Sequence, residues 1–120
     1  MKFMLLIYQD EANWGALTES ARQEIYGEYR ELIQDLEPQG TYLVGDELQP
    51  TSTAQTVRVR EGKPMITDGP FAETREQLGG FFLIEAADAN EANAIAARIP
   101  SARKGSIEVR PVAAAAAAAD

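Results

Sequence analysis

Met1 to Tyr8 is an apolar run with only Lys2 at its edge. Because strand side chains alternate between two faces, a run without polar alternates predicts a central strand buried on both. Gln9 to Leu17 breaks the pattern and reads as a loop carrying Asp10, Glu11 and the single tryptophan, Trp14. Ile25, Tyr29, Leu32 and Leu36 then recur at helical spacing. Ser20-Ala21-Arg22-Gln23 fits a capping box before them, with Thr18 as a rival cap. The pattern predicts a helix over residues 19–37, stopped by Pro38 and Gly40.

Thr41 to Leu48 reads as a second strand, with Tyr42 and Val44 on one face and Leu43 on the other. Gln55 to Arg60 alternates cleanly, Glu61-Gly62-Lys63 supplies a turn, and Pro64 to Thr67 returns as the second arm of a hairpin. Gly80 to Ala86 is again apolar on both faces and reads as another central strand. Asp88-Ala89-Asn90-Glu91 forms a capping box for a helix whose buried stripe is Ala92, Ile95, Ala96 and Ile99, ended by Pro100. Ser101 to Lys104 reads as a basic linker, and Gly105 to Val112 as the last strand, with Ile107 and Val109 inward. The seven alanines from Ala113 to Ala119 are too few to nucleate a helix after Pro111, so residues 113–120 read as a frayed tail behind a single domain over residues 1–112.

Apart from the hairpin, the order is strand, helix, strand, strand, helix, strand. That is an α+β, ferredoxin-like split βαβ arrangement with an inserted β-hairpin. Right-handed crossovers place both helices on one face of the sheet. The other face, carrying large apolar residues from both central strands, then needs a cover. A second copy in a two-fold homodimer supplies one; the hairpin folding over that face is the alternative.

Thr67 to Gly80 carries the candidate chemistry. Four ionisable side chains, Asp68, Glu73, Arg75 and Glu76, lie within nine residues that have no clear period. Asp68-Gly69-Pro70 is turn chemistry, and Gly79-Gly80 allows a bulge or a close backbone approach where the next strand begins. Asp68 is the candidate acid/base, Arg75 the candidate anion or oxyanion clamp, and Glu76 or Glu73 its orienting partner. Tyr8, Asp10, Trp14, Gly69, Pro70 and Phe71 complete a candidate small-molecule cleft. A structural reading stands beside this one, in which Asp68 caps the turn, Pro70-Phe71 staples the loop to the core, and Glu76 pairs with Arg75 or a hairpin arginine. Tyr26 and Tyr29 read as core or interface residues.

Asp68-Gly69-Pro70-Phe71-Ala72-Glu73-Thr74-Arg75-Glu76-Gln77-Leu78-Gly79-Gly80 resembles the signature of the DGPF branch of the YCII-related family. Weaker similarity covers nearly the whole chain, from the opening MKFMLLIYQDE to SIEVRPV. The resemblance implies a dimeric α+β barrel. Some family members have a His/Asp active pair, but this chain has no histidine, and Arg75 stands where the branch more often has lysine. Other members resemble domains associated with extracytoplasmic-function sigma factors, which implies a regulatory or interaction module as the competing function.

A net charge of −8 opposes nucleic acid as a partner. The lack of cysteine and histidine leaves no thiolate or imidazole ligands, and no cofactor is assigned; Asp10, Asp68, Glu73 and Glu76 leave a hard cation as a minor option. No run approaches the roughly 20 apolar residues of a membrane span, so the expectation is a cytoplasmic protein without a membrane partner.

Overall fold

The apolar run at the start of the chain forms strand β1, Lys2–Gln9, in the computed structural model, which describes residues 1–113. The frayed tail expected over 113–120 lies, from residue 114 onward, outside the described residues. Strand β1 is central. It pairs antiparallel with β5, Gln77–Glu85, on one side and with β6, Ser106–Pro111, on the other. Strand β2, Tyr42–Glu47, adds to the far edge of β5, giving a four-stranded sheet in the order β2-β5-β1-β6. Strands β3, Gln55–Arg60, and β4, Lys63–Asp68, pair only with each other, as a two-stranded hairpin. The helices are α1, Glu11–Ala16, α2, Glu19–Leu36, and α3, Ala89–Ala96. Among the described residues no helix is long and apolar enough to cross a membrane.

The two-residue period of the strands sorts the core. Phe3, Leu5 and Ile7 of β1 and Phe82 and Ile84 of β5 meet Leu32 and Leu36 of α2 and Ala92, Ile95 and Ala96 of α3 in one buried cluster, so both helices cover the same face. The alternate residues Met4, Leu6, Phe81 and Leu83 turn to the opposite face and are only half-buried. Register sets them side by side, with Leu6 across from Phe81 and Met4 across from Leu83. The expectation of burial on both faces therefore holds for one face within the single chain. The hairpin does not cover the other face, because its own residues remain open: Val57 is 61 %, Val59 60 % and Ile66 65 % exposed.

Several local expectations are corrected. The stretch read as a loop contains α1, whose N-cap is Asp10; its Oδ1 accepts from the Ala12 amide at 2.9 Å. Six residues are too few to display a helical period. Thr18, not Ser20, caps α2, with Oγ1 accepting from Ala21. Tyr42 pairs with Ile84 but Val44 pairs with Leu83, so an irregularity in β2 places these two residues on opposite faces rather than one. Ser101 to Lys104 is no open linker: Pro100–Arg103 forms a short 3-10 turn, and Ser101 is buried. The signature stretch is shorter as a loop than its composition suggests, since Asp68 ends β4 and Gln77 to Gly80 already belong to β5.

The two glycines at that entry have different tasks. Ile7 faces Gly80 and Tyr8 faces Leu78, which leaves Gly79 as the extra residue of a bulge. At Gly80 the neighbouring strand comes close, and a Cβ there would stand 2.8 Å from the Asp46 carbonyl oxygen. At Gly79 the nearest atom to an added Cβ is 4.0 Å away. Gly80→Ala is therefore expected to lower unfolding stability by about 1–3 kcal/mol, as overpacking does, with a much smaller loss for Gly79→Ala. Urea denaturation of both variants checks the difference.

Candidate ligand site

Beneath the middle of α2 the sheet presents glycines instead of large side chains. Gly45 of β2 and Gly79 and Gly80 of β5 line a cavity of about 250 Å³ there. Its walls are aromatic: Trp14 from α1, Tyr26 and Tyr29 from successive turns of α2, Tyr42 from β2 and Phe82 from β5. The tyrosines at positions 26 and 29 face one way because residues three apart share a helix side. Neighbouring rings meet edge to face. Trp14 and Tyr26 lie 5.5 Å apart at 74°, Tyr29 and Phe82 6.0 Å apart at 73°, and Tyr42 and Phe82 5.0 Å apart at 86°. The rings thus stand as walls at steep angles to one another instead of stacking and filling the space.

Polar groups are placed at defined points of this apolar enclosure. At the base, the Ser101 hydroxyl donates to Gln9 Oε1 at 3.2 Å and lies 2.7 Å from the Tyr29 hydroxyl. Since Ser101 has one hydroxyl proton, directed at Gln9, Tyr29 is the donor in their contact. At the mouth, the Tyr26 hydroxyl donates to both carboxylate oxygens of Glu47, at 3.0 and 3.1 Å, while the neighbouring Asp46, in register with Phe81, turns its side chain to the open face. Trp14 is held from outside by Arg22, whose guanidinium donates to the Leu17 carbonyl at 2.7 Å and the Trp14 carbonyl at 3.4 Å while paired with Glu19 at 3.1 Å. Burial raises the pKa of Tyr26, Tyr29 and Tyr42 above the ordinary 10.0; the Glu47 carboxylate adds to the shift at Tyr26, and Asp46 adds to it at Tyr42. These phenols are neutral hydrogen-bond donors at physiological pH, not phenolate bases.

The profile of the YCII-related domain matches residues 1–115. The chain belongs to the YCII-related family. It is 35 % identical over 115 residues to an uncharacterised protein of Rhizobium meliloti (strain 1021), covering 94 % of this chain and 93 % of that one. Among solved structures it resembles 5-chloro-2-hydroxyhydroquinone dehydrochlorinase (TftG) from Burkholderia phenoliruptrix AC1100, in complex with 2,5-dihydroxybenzoquinone. The TM-score is 0.53, with 14 % identity and 93 % of each chain covered. At that identity the likeness is one of fold.

In this YCII-related chain the signature stretch divides between two places. Its C-terminal end reaches the cavity through Gly79 and Gly80, and Gln77 and Gly79 line a neighbouring groove with Glu11, Trp14 and Pro50. Its N-terminal end belongs to the hairpin. Asp68 is exposed, with Gln55 Nε2 donating to its Oδ1 at 3.4 Å. Gly69 adopts φ 96°, a left-handed conformation that suits glycine, and its amide donates to the Ala54 carbonyl at 2.7 Å. Pro70 and Glu73 are exposed, Arg75 likewise, and Phe71 is 79 % exposed, so Pro70-Phe71 staples nothing within the chain. Glu76 Oε1 accepts from the Ser106 hydroxyl at 2.8 Å, in place of the expected arginine.

The remaining candidates are separated as well. Tyr8 lies in register with Ser106 at the end of the open face, and its hydroxyl donates to Glu108 at 3.3 Å. Asp10 is committed to capping α1, and Glu11 accepts from the Thr51 amide and hydroxyl at 2.8 and 2.7 Å. Of the residues expected at the cleft, Trp14 is the one that lines the aromatic cavity. Tyr26 and Tyr29, read as core or interface, are its walls. Their three-residue spacing in α2 opposite glycine-bearing strands was the available signal.

The tyrosine shifts give stability a defined alkaline limit. The folded state holds these phenolic protons more tightly than the unfolded chain, so the stability they contribute is complete below about pH 10 and is lost as pH rises through the raised folded values. Chemical denaturation at a series of alkaline pH values is expected to show the midpoint falling above about pH 10. Tyr29→Phe is expected to lower stability at neutral pH by about 0.5–1.5 kcal/mol, the worth of its hydrogen bond to Ser101, and to make the alkaline decline shallower.

Proposed function

We propose that the chain is a small-molecule-binding protein whose ligand occupies the cavity under α2, with the DGPF-type signature stretch forming the rim through Gln77, Gly79 and Gly80. The observation that carries this reading is the enclosure itself: aromatic walls, a side-chain-free glycine floor, and hydrogen-bonding groups fixed at base and mouth. Ligand sites are commonly concave, mostly apolar and furnished with few polar groups. The structural neighbour TftG, which binds 2,5-dihydroxybenzoquinone, is consistent with a small cyclic ligand on this fold. In this proposal the acid/base role assigned to Asp68, with Arg75 as clamp, Glu76 and Glu73 as orienting groups, and Tyr8 and Asp10 as outlying members, belongs to the hairpin end of the same stretch.

The proposed architecture is ferredoxin-like, supported by the strand order β2-β5-β1-β6, and it assembles as a two-fold homodimer through the open sheet face. Met4, Leu6, Phe81 and Leu83 form an apolar patch there that a second copy would cover, giving the dimeric α+β barrel. One observation favours a second functional reading, an interaction module. Val57, Val59, Ile66 and Phe71 are all more than half exposed along the hairpin and the following loop. Such a projecting apolar edge suits a protein partner.

A thermal-shift screen against small metabolites tests the main reading. A ligand at roughly a hundred times its Kd contributes about 2.7 kcal/mol and raises the midpoint visibly. Loss of the shift in Gly79→Leu, whose side chain would enter the cavity rim, locates the ligand there; loss in Asp68→Asn with an unchanged midpoint extends the site to the hairpin end. A blank screen with binding of a protein partner through the hairpin favours the interaction module. Sedimentation across a dilution series is expected to show a dimer, and a well-folded monomer throughout would remove the sheet-to-sheet assembly.

A further inference from the structure

The charge around the cavity narrows its ligand class. Among the described residues no lysine or arginine lines it, while the Glu47 carboxylate stands at its mouth; Asp46, in register with Phe81, turns its side chain to the open face. The arginine that influences Tyr26, Arg22, is engaged by the Glu19 carboxylate and the Leu17 carbonyl. Arg103, which acts on Tyr29, is likewise paired, with Glu28, so an anionic ligand would meet the Glu47 carboxylate without a free counter-charge in the lining, inside a molecule of net charge −8. The walls point the same way. Trp14, Tyr26, Tyr29 and Tyr42 all line the one space and offer neutral rings, since burial keeps the three phenols protonated. Ring faces carry the negative end of the aromatic quadrupole and attract cations, most strongly where water is excluded.

We propose that the cavity binds a small organic cation, an alkylated ammonium group held between the rings of Trp14, Tyr26, Tyr29 and Tyr42 and neutralised by Glu47. This rests on the reading of the cavity as the ligand site. Glu47 is the counter-charge, its carboxylate already oriented by the Tyr26 hydroxyl at 3.0 and 3.1 Å. A bare metal ion is a poorer fit, since these walls are rings and few oxygens, and no cluster of three acidic side chains occurs among the described residues.

Trp14 is the only tryptophan in the chain, so its fluorescence reports directly on the cavity. Three probes of one shape separate charge from fit: choline, its neutral counterpart 3,3-dimethylbutan-1-ol, and the anion 3,3-dimethylbutanoate. The purified full chain is titrated with each by fluorescence, and by calorimetry as a second readout. Choline is expected to saturate the signal and bind at least about tenfold more tightly than the alcohol, with no binding of the anion. Glu47→Gln is expected to erase that preference while leaving the alcohol's binding unchanged, and its own unfolding curve verifies that it folds. Equal binding of choline and the alcohol, or tighter binding of the anion, overturns the cationic assignment and keeps the cavity as a ligand site. Absence of saturable binding by all three overturns the cationic assignment. If the metabolite screen then also leaves Trp14 unperturbed, the cavity reading falls with it.

Discussion

Crossovers of one hand put both main helices on the same face of the four-stranded sheet, and most of the structure follows from which face they take. Both α2 and α3 pack on the side carrying Phe3, Leu5, Ile7, Phe82 and Ile84, and the hydrophobic free energy of the single chain is concentrated there. The alternate residues Met4, Leu6, Phe81 and Leu83 are equally apolar but are left half-buried. The same alternation that builds a core thus creates a surface whose composition is unusual for one facing water.

The covered face is not uniform. On one side of the C-terminal turns of α2, Leu32 and Leu36 press onto large strand residues in the closed core. Under its middle turns the sheet has Gly45, Gly79 and Gly80, and the helix has Tyr26 and Tyr29, whose rings span the gap without filling it. One helix therefore serves as a core element at its C-terminal turns and a cavity roof at its middle. Helix α1 closes the side by carrying Trp14, and the Arg22 bonds to the end of α1 keep that ring in place.

The hairpin and the loop after it form a third region with a different physical character. Strands β3 and β4 pair only with each other, and their valines and Ile66 gain little burial. An isolated two-stranded ribbon is marginal in water. The signature stretch joins this open apolar arm to the rim of the cavity.

The chain order determined a good deal of this. Continuous apolar runs identified β1 and β5 as central, because only a strand with neighbours on both sides and a covered face needs them, and the stripe of Ala92, Ile95, Ala96 and Ile99 identified the buried side of α3. Turn chemistry located the hairpin, and the Gly79-Gly80 pair allowed a bulge or a close backbone approach, of which the structure shows one at each glycine. The family resemblance was legible in the signature stretch. Tertiary structure alone decided how that stretch is divided, with Asp68 closing an exposed hairpin and Gly79 opening onto a cavity, since proximity in sequence says nothing about which side of a sheet each end reaches. The irregularity in β2 turned Tyr42 inward, where strict alternation would have kept it with Val44. The cavity itself is an absence of side chains contributed by three positions on two strands, facing rings from two helices. No local period encodes such a gap, because it exists only after long-range pairing has brought those glycines beneath Tyr26 and Tyr29.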